Sequence, residues 1–249
     1  MTTAGSSRRR KGTIAGAFAA LAACLIAVGA FTSLASGRAD NVKKIGKTAH
    51  TPRPSCPSPP GNDFPPKKGC QALGEVTGFQ KKADGKKNLM QVPAQGKIVA
   101  WSVDLAKPNK EEREFFERVL GDNAADGAPT ARIALLSKAD GKKYRLRAQS
   151  PRMNLNGLLG EEQTFTLNNP ITAQKKWIVA LTTPTWVPNF AHDYGGSDRW
   201  MASRTRKRCD GQKNLTEHSS PHTGVGSTRV YACTYNDARL LYWAYFVPD

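Results

Sequence analysis

The sequence predicts an all-β protein: a two-sheet antiparallel sandwich, jelly-roll-like, with one short helix. Three observations predict it. Several short runs alternate apolar and polar residues with period two, the pattern of a strand with one face on a core and one in water. Two runs, Trp177 to Leu181 and Leu240 to Val247, are apolar on both faces and read as central strands. Turn signals divide these runs at short intervals, as stacked sheets of short strands require.

Residues 1–39 read as a signal peptide or signal anchor. Arg8, Arg9, Arg10 and Lys11 form a basic cluster, and residues 12–37 that follow carry no charge. A basic flank before an apolar segment is an export signal, here expected as an N-terminal apolar helix with its start inside and the rest outside. Three processing outcomes fit: cleavage after Ala35, retention as an anchor, or lipidation at Cys24 within Leu21-Ala22-Ala23-Cys24. The apolar run continues past Cys24, which argues against the third. Residues 40–70 read as a spacer. They hold seven of the sixteen prolines and almost no large apolar residues, so an extended, semi-rigid segment is expected.

Residues 71–249 read as one β-sandwich domain. Expected strands are Leu73 to Gln80, Val99 to Leu105, Ala131 to Ser137, Tyr144 to Ala148, Gln163 to Leu167, Trp177 to Leu181, Thr228 to Thr234 and Leu240 to Val247. One helix interrupts them. In PNKEEREFFERVLG, Asn109 caps, Glu112 sits three residues on, Phe116, Val119 and Leu120 form an apolar stripe, and Gly121 stops the helix. Lys82-Ala83-Asp84-Gly85-Lys86-Lys87 recurs as Lys138-Ala139-Asp140-Gly141-Lys142-Lys143. Asp-Gly between two β runs is a strong hairpin signal. Both copies are therefore expected as basic tips, with Lys86, Lys87, Lys142 and Lys143 forming one cationic patch if the tips share an end. Lysine-flanked Asp-Gly is also ordinary turn chemistry.

Apart from Cys24 there are four cysteines, an even number, which in an exported chain suggests disulfides. The local pairs Cys56–Cys70 and Cys209–Cys233 are favoured because each closes a short loop. Without CxxC spacing, a metal site is not expected. The chain carries a formal charge of +17, and residues 1–39 account for five of the basic groups and none of the acidic ones. Such a balance favours an anionic envelope polymer or a membrane surface, and a glycan is a further candidate partner. A protein partner is also open, and specific nucleic-acid binding is not expected outside the cell.

No catalytic motif emerges: there is no GxSxG, HExxH or Walker sequence. Adjacent Glu161 and Glu162 point to opposite faces of a strand and make a poor glycosidase pair. His218 and His222 form an HxxxH, but the intervening serines and proline make it a loop. No metal and no cofactor is implied. The remaining signal is TTPTWVPNFAHDYGG, residues 182–196. Trp186, Phe190, His192 and Tyr194 are its candidate binding residues. The competing reading is packing, with Pro184 ending a central strand and Trp186 and Phe190 closing the core. His192 to Gly196 is then the surface that remains, and His192, Asp193 and Ser197 are the residues of an alternative, a secreted hydrolase with a dispersed site.

Several segments carry a resemblance: Gly78-Phe79-Gln80, GKIVAWSVDL, Gln149-Ser150-Pro151, TTPTWVPNF and Trp200-Met201-Ala202-Ser203-Arg204 ahead of Cys209. Together they resemble a family of exported proteins from high-GC Gram-positive bacteria that has no assigned activity. The resemblance spans residues 71–210 and implies an extracytoplasmic β-rich domain. It transfers no site residue. The expectation is an exported, non-enzymatic envelope module that binds or scaffolds.

Overall fold

The computed structural model describes residues 41–57, 69–120, 127–192, 195–209 and 220–249. In chain order the described elements are β1 (Lys43–Ile45), β2 (Leu73–Ala83), β3 (Lys86–Lys87), β4 (Gly96–Asp104), α1 (Lys110–Leu120), β5 (Thr130–Lys138), β6 (Lys143–Gln149) and β7 (Met153–Asn154). They continue with β8 (Glu162–Ala173), β9 (Ile178–Val187), β10 (Phe190–His192), β11 (Arg199–Ala202), β12 (Thr228–Val230), β13 (Cys233–Asn236), β14 (Ala238–Leu240) and β15 (Tyr242–Pro248). The architecture is an antiparallel β-sandwich. A four-stranded sheet runs β1-β15-β4-β8, and a nine-stranded sheet runs β12-β6-β5-β9-β2-β11-β13 with β3 and β7 at its margins. A short β10–β14 pair supplements them.

The large sheet is curled. β12 and β13 lie at opposite ends of its strand order, yet only Tyr231 and Ala232 separate them in sequence. The expected strand Thr228 to Thr234 is therefore two strands. At the seam, the Tyr231 amide bonds to Lys142 on one side and the Ala232 amide to Arg204 on the other. Phe79 of β2 meets Tyr144 of β6 at 5.2 Å between ring centroids, although β9 and β5 lie between those strands. A flat sheet would hold them about three strand spacings, roughly 14 Å, apart. Their contact identifies the face that carries Phe79 and Tyr144 as concave. Tyr231 fills the curl against both rings.

One core joins the sheets. Ile98, Trp101 and Val103 of β4 and Tyr242, Ala244 and Phe246 of β15 share a buried cluster with Val76, Leu135, Val179 and Leu181 of the large sheet. The Tyr242 hydroxyl reaches across to the Val179 carbonyl at 3.1 Å. Trp101 packs on Phe165 at 4.6 Å. Helix α1 begins with the expected reciprocal cap. The Glu112 amide bonds Asn109 Oδ1 at 2.9 Å, and the Asn109 amide bonds the Glu112 carboxylate at 2.8 Å. Phe116 and Leu120 bury a second, smaller cluster with Trp186. Gly74 lies directly under Leu120, where any Cβ would come within 2.6 Å of that side chain.

Two expectations are corrected here. Pro184 does not end the central strand, because β9 continues to Val187. The register shifts between Gly74 and Val76, so that Pro184 and Thr185 stand opposite the single residue Glu75. Such a bulge accommodates a residue with no N–H to donate. The span read as a spacer also contributes structure: Lys43–Ile45 is an edge strand on β15, and Ile45 is buried. Both disulfides, Cys56–Cys70 and Cys209–Cys233, are present with the expected pairing. The expected apolar helix of residues 12–37, Cys24, the proline-rich run 58–68, Gly121, His218 and the pair Asp193 and Tyr194 lie outside the described residues. Among those described, no helix is long and apolar enough to cross a membrane.

Candidate functional site

Strands β2 and β5 are each antiparallel to β9 and therefore parallel to one another. Both run into a KADGKK turn, so both turns emerge at the same end of the large sheet. The registers agree closely. Gly78 pairs with Leu181 and Leu136 with Ile178, which sets Lys81 and Leu136 level with Ile178. The chain enters β9 between them, through Lys175 and Lys176. The Met90–Val92 run also lies beside β9 there, with the Val179 amide on Met90 and the Lys176 amide on Val92. The two tips are thus two to three strand spacings apart, roughly 10–15 Å.

The resulting rim carries nine lysines: 81, 82, 86, 87, 138, 142, 143, 175 and 176. All are exposed except Lys82, which is half-buried and donates to the Gly196 carbonyl at 2.8 Å. The segments that carry these lysines hold two acids, Asp84 and Asp140, and Asp198 packs on the first tip, accepting the Asp84 amide at 3.4 Å. The opposite end of β2 and β9 is covered by α1, where Phe116 meets Trp186 at 5.3 Å and four glutamates are gathered.

The identical hexapeptides fold differently. Asp84 and Gly85 both have positive φ, 48° and 74°, as a two-residue type I′ turn requires. The Asp84 carboxylate bonds Arg239 Nη1 at 2.9 Å, and Arg239 is only 3% exposed. Arg239 also donates to Thr48 at 2.6 Å, and Asp198 lies 3.9 Å away. Burial alone raises the Asp84 carboxyl, but the bonds from Thr48 and Arg239 outweigh it and hold the group below its ordinary range. The Gly85 amide bonds the Ser197 carbonyl at 3.1 Å. This first tip is therefore pinned. The second is a longer loop, closed by the Lys143 amide on Asp140 and the Ala139 amide on Lys143, with only Gly141 at positive φ.

The other sequence-selected residues separate. Trp186 is fully buried and donates Nε1–H to the Gly127 carbonyl at 2.7 Å. Phe190 is buried against Trp200. Both are core residues and present no binding surface: Trp186 lies within β9 and Phe190 within β10. The His192 ring lies 3.0 Å from the Gly69 carbonyl, whereas Ser197 Oγ donates to Asp198 at 2.7 Å. Cys56, Cys70 and Glu112 place ligand-type atoms within 4.8 Å of one another. The two sulfurs are bonded together and Glu112 serves the helix cap, so the cluster is structural.

Sequence reasoning passed over Lys175 and Lys176, although a Lys-Lys pair directly before a strand apolar on both faces is a usable signal. It also passed over Arg239. Nothing local marks that residue, since its partners Thr48, Asp84 and Asp198 lie far away in sequence. A second titratable group stands on the four-stranded sheet. Asp104 is directly opposite Glu162, which pairs with Lys47 at 3.2 Å. Burial, and then Glu162, push the Asp104 carboxyl up. No family model matches the chain, and neither a curated protein nor a solved structure matches it.

Proposed function

We propose that this protein is an extracytoplasmic, non-enzymatic module that holds an anionic polymer of the cell envelope across the lysine rim of its large sheet. One observation carries the reading: two copies of KADGKK and the Lys175–Lys176 entry converge on one sheet end. Eight exposed lysines and the half-buried Lys82 lie there, and of the two aspartates in the same segments one is committed to Arg239. Converging charges of one sign focus an attractive field on a polyanion, and a repeating anion engages several of them at once. The two disulfides are compatible with an extracytoplasmic location.

The test is retention on an immobilised glycerol-phosphate polymer and on a polyuronate, with a neutral glucan as control. The expected result is binding to the anionic matrices that is released by salt, since exposed charges are screened beyond about 8 Å at physiological ionic strength. Equal retention on the neutral glucan would overturn the reading.

A further inference from the structure

The concave face of the large sheet holds a second feature, independent of the lysine rim. Arg132 of β5 stands opposite Thr182 of β9, and Thr182 stands opposite Thr77 of β2. The hydroxyls of Thr77 and Thr182 bond at 2.8 Å, and Thr77 also accepts the His222 amide at 2.8 Å. Thr77 lies two residues from Phe79, and Arg132 lies two residues before Ala134, whose partner is Gln149. Alternation therefore puts Arg132, Gln149, Thr182 and Thr77 on the face that Phe79 and Tyr144 close from the rim side. On the other side of Arg132, β7 pairs Met153 with Ala131. In the β6 register Ser150 pairs with Ile133, so Pro151 and Arg152 together stand opposite the single residue Arg132 where the ladder passes from β6 to β7.

Two guanidinium groups opposite one another on neighbouring strands are unfavourable by themselves. Neither forms an ion pair among the described residues. Among the described residues Arg132 makes no ion pair and no side-chain hydrogen bond, and its Nε is buried without a partner. The Oε1 atom of neighbouring Gln149 is in the same condition, while its Nε2 donates to the Thr223 carbonyl. Burial, and next the charge of Arg152, both disfavour the protonated form of Arg132. Arg132 is half-buried and Arg152 exposed, so the pair remains open to solvent.

We infer that Arg132 and Arg152 form a binding site for a phosphate group at the mouth of the curled sheet. A guanidinium fork matches two oxygens of one anion through its outer N–H groups. Two adjacent positive charges with no acid partner among the described residues match an anion of charge near −2 better than a single carboxylate. The Thr182 row and the closed aromatic end limit how far the group enters, which favours a terminal phosphate over a chain threaded through the curl.

The test is titration of the full folded chain with inorganic phosphate, glycerol 1-phosphate and a glycerol phosphodiester at constant ionic strength, read by calorimetry and thermal unfolding. Inorganic phosphate and the monoester should bind and raise Tm. R132Q and R152Q should each weaken binding by about tenfold or more, the loss expected for one charge-assisted contact. In phosphate-free buffer R152Q should unfold no earlier than the wild type, because it relieves the like-charge contact. A rim variant lacking Lys86, Lys87, Lys142 and Lys143 should bind inorganic phosphate unchanged, which separates this site from the polymer surface. Absence of phosphate binding by the wild type would overturn the assignment, as would full retention in R132Q or loss confined to the rim variant. Preference for the diester would overturn the terminal-phosphate reading.

Discussion

Trp186 decides whether the aromatic segment is a surface or a support. Trp186→Ala removes a fully buried indole that packs on Phe116 and donates a hydrogen bond to Gly127. Truncating a buried aromatic costs about 3–5 kcal/mol. With a urea m-value of about 2.5 kcal/mol/M, a loss of about 4 kcal/mol moves the unfolding midpoint down by about 1.6 M. The corresponding drop in Tm is about 10 °C for a domain of this size. Trp186→Phe keeps most of the ring volume and loses the N–H donor, leaving the Gly127 carbonyl without that partner, so it should cost about 1–2 kcal/mol. Urea unfolding followed by circular dichroism measures both. At temperatures where Trp186→Ala remains folded, retention on anionic polymer should equal that of the wild type. An unchanged midpoint combined with lost retention would refute the packing assignment and restore Trp186 as a contact residue.

Three further outcomes follow from the same contacts. His222 is buried with its ring nitrogens at the Tyr231 hydroxyl and the Ser227 carbonyl, and burial lowers its pKa from the ordinary value near 6.5. The unfolded chain therefore binds the extra proton first, so stability is intact above about pH 6.5 and declines as pH falls toward the lowered folded-state value. Tm should drop more between pH 7.5 and 5.5 for the wild type than for His222→Gln, and equal drops would remove His222 as the cause. Asp84→Asn deprives the buried Arg239 of its nearest charge while Asp198 remains at 3.9 Å. It should cost about 2 kcal/mol in chemical denaturation, less than the roughly 3–5 kcal/mol of a fully buried pair because Asp84 is partly exposed. Replacing Cys209 and Cys233 together by alanine opens a loop with a sequence separation of 24 and should lower stability by roughly 3 kcal/mol. Intact mass with and without reductant should show both bridges in the unaltered chain.

Much of the fold was legible because it rests on local pattern. Alternation marked β4 and β6, and apolar runs marked β9 and β15. The Asn109–Glu112 spacing located the helix start, and loop length selected the disulfide pairing. What escaped depends on distant partners. The bulge at Pro184 requires Glu75 on another strand, and a proline alone reads as a strand end. Thr228 to Thr234 reads as one strand because nothing local says that Tyr231 must turn inward to fill the curl. The candidate site was half legible. The repeated hexapeptide showed two basic tips, but only the parallel relation of β2 and β5 brings them to one end with Lys175 and Lys176. The different turns adopted by identical hexapeptides follow from Arg239, which reaches Asp84 from a residue 155 positions away. Arg132 and Arg152 look like ordinary surface charges in the sequence, and pairing of β5 with β7 is what juxtaposes them.

The central claim is that the two tips act as one surface, and half-rim variants test it most directly. K86A/K87A, K142A/K143A and the combined variant should be compared for affinity to one glycerol-phosphate polymer at fixed ionic strength, with Tm as a check on folding. A polymer spanning both tips predicts that either pair alone lowers affinity by about tenfold or more. The combined variant should then lose less than the product of the two, because bridging is already gone. Unchanged affinity in either half-rim variant, or strictly independent losses, would contradict the single rim.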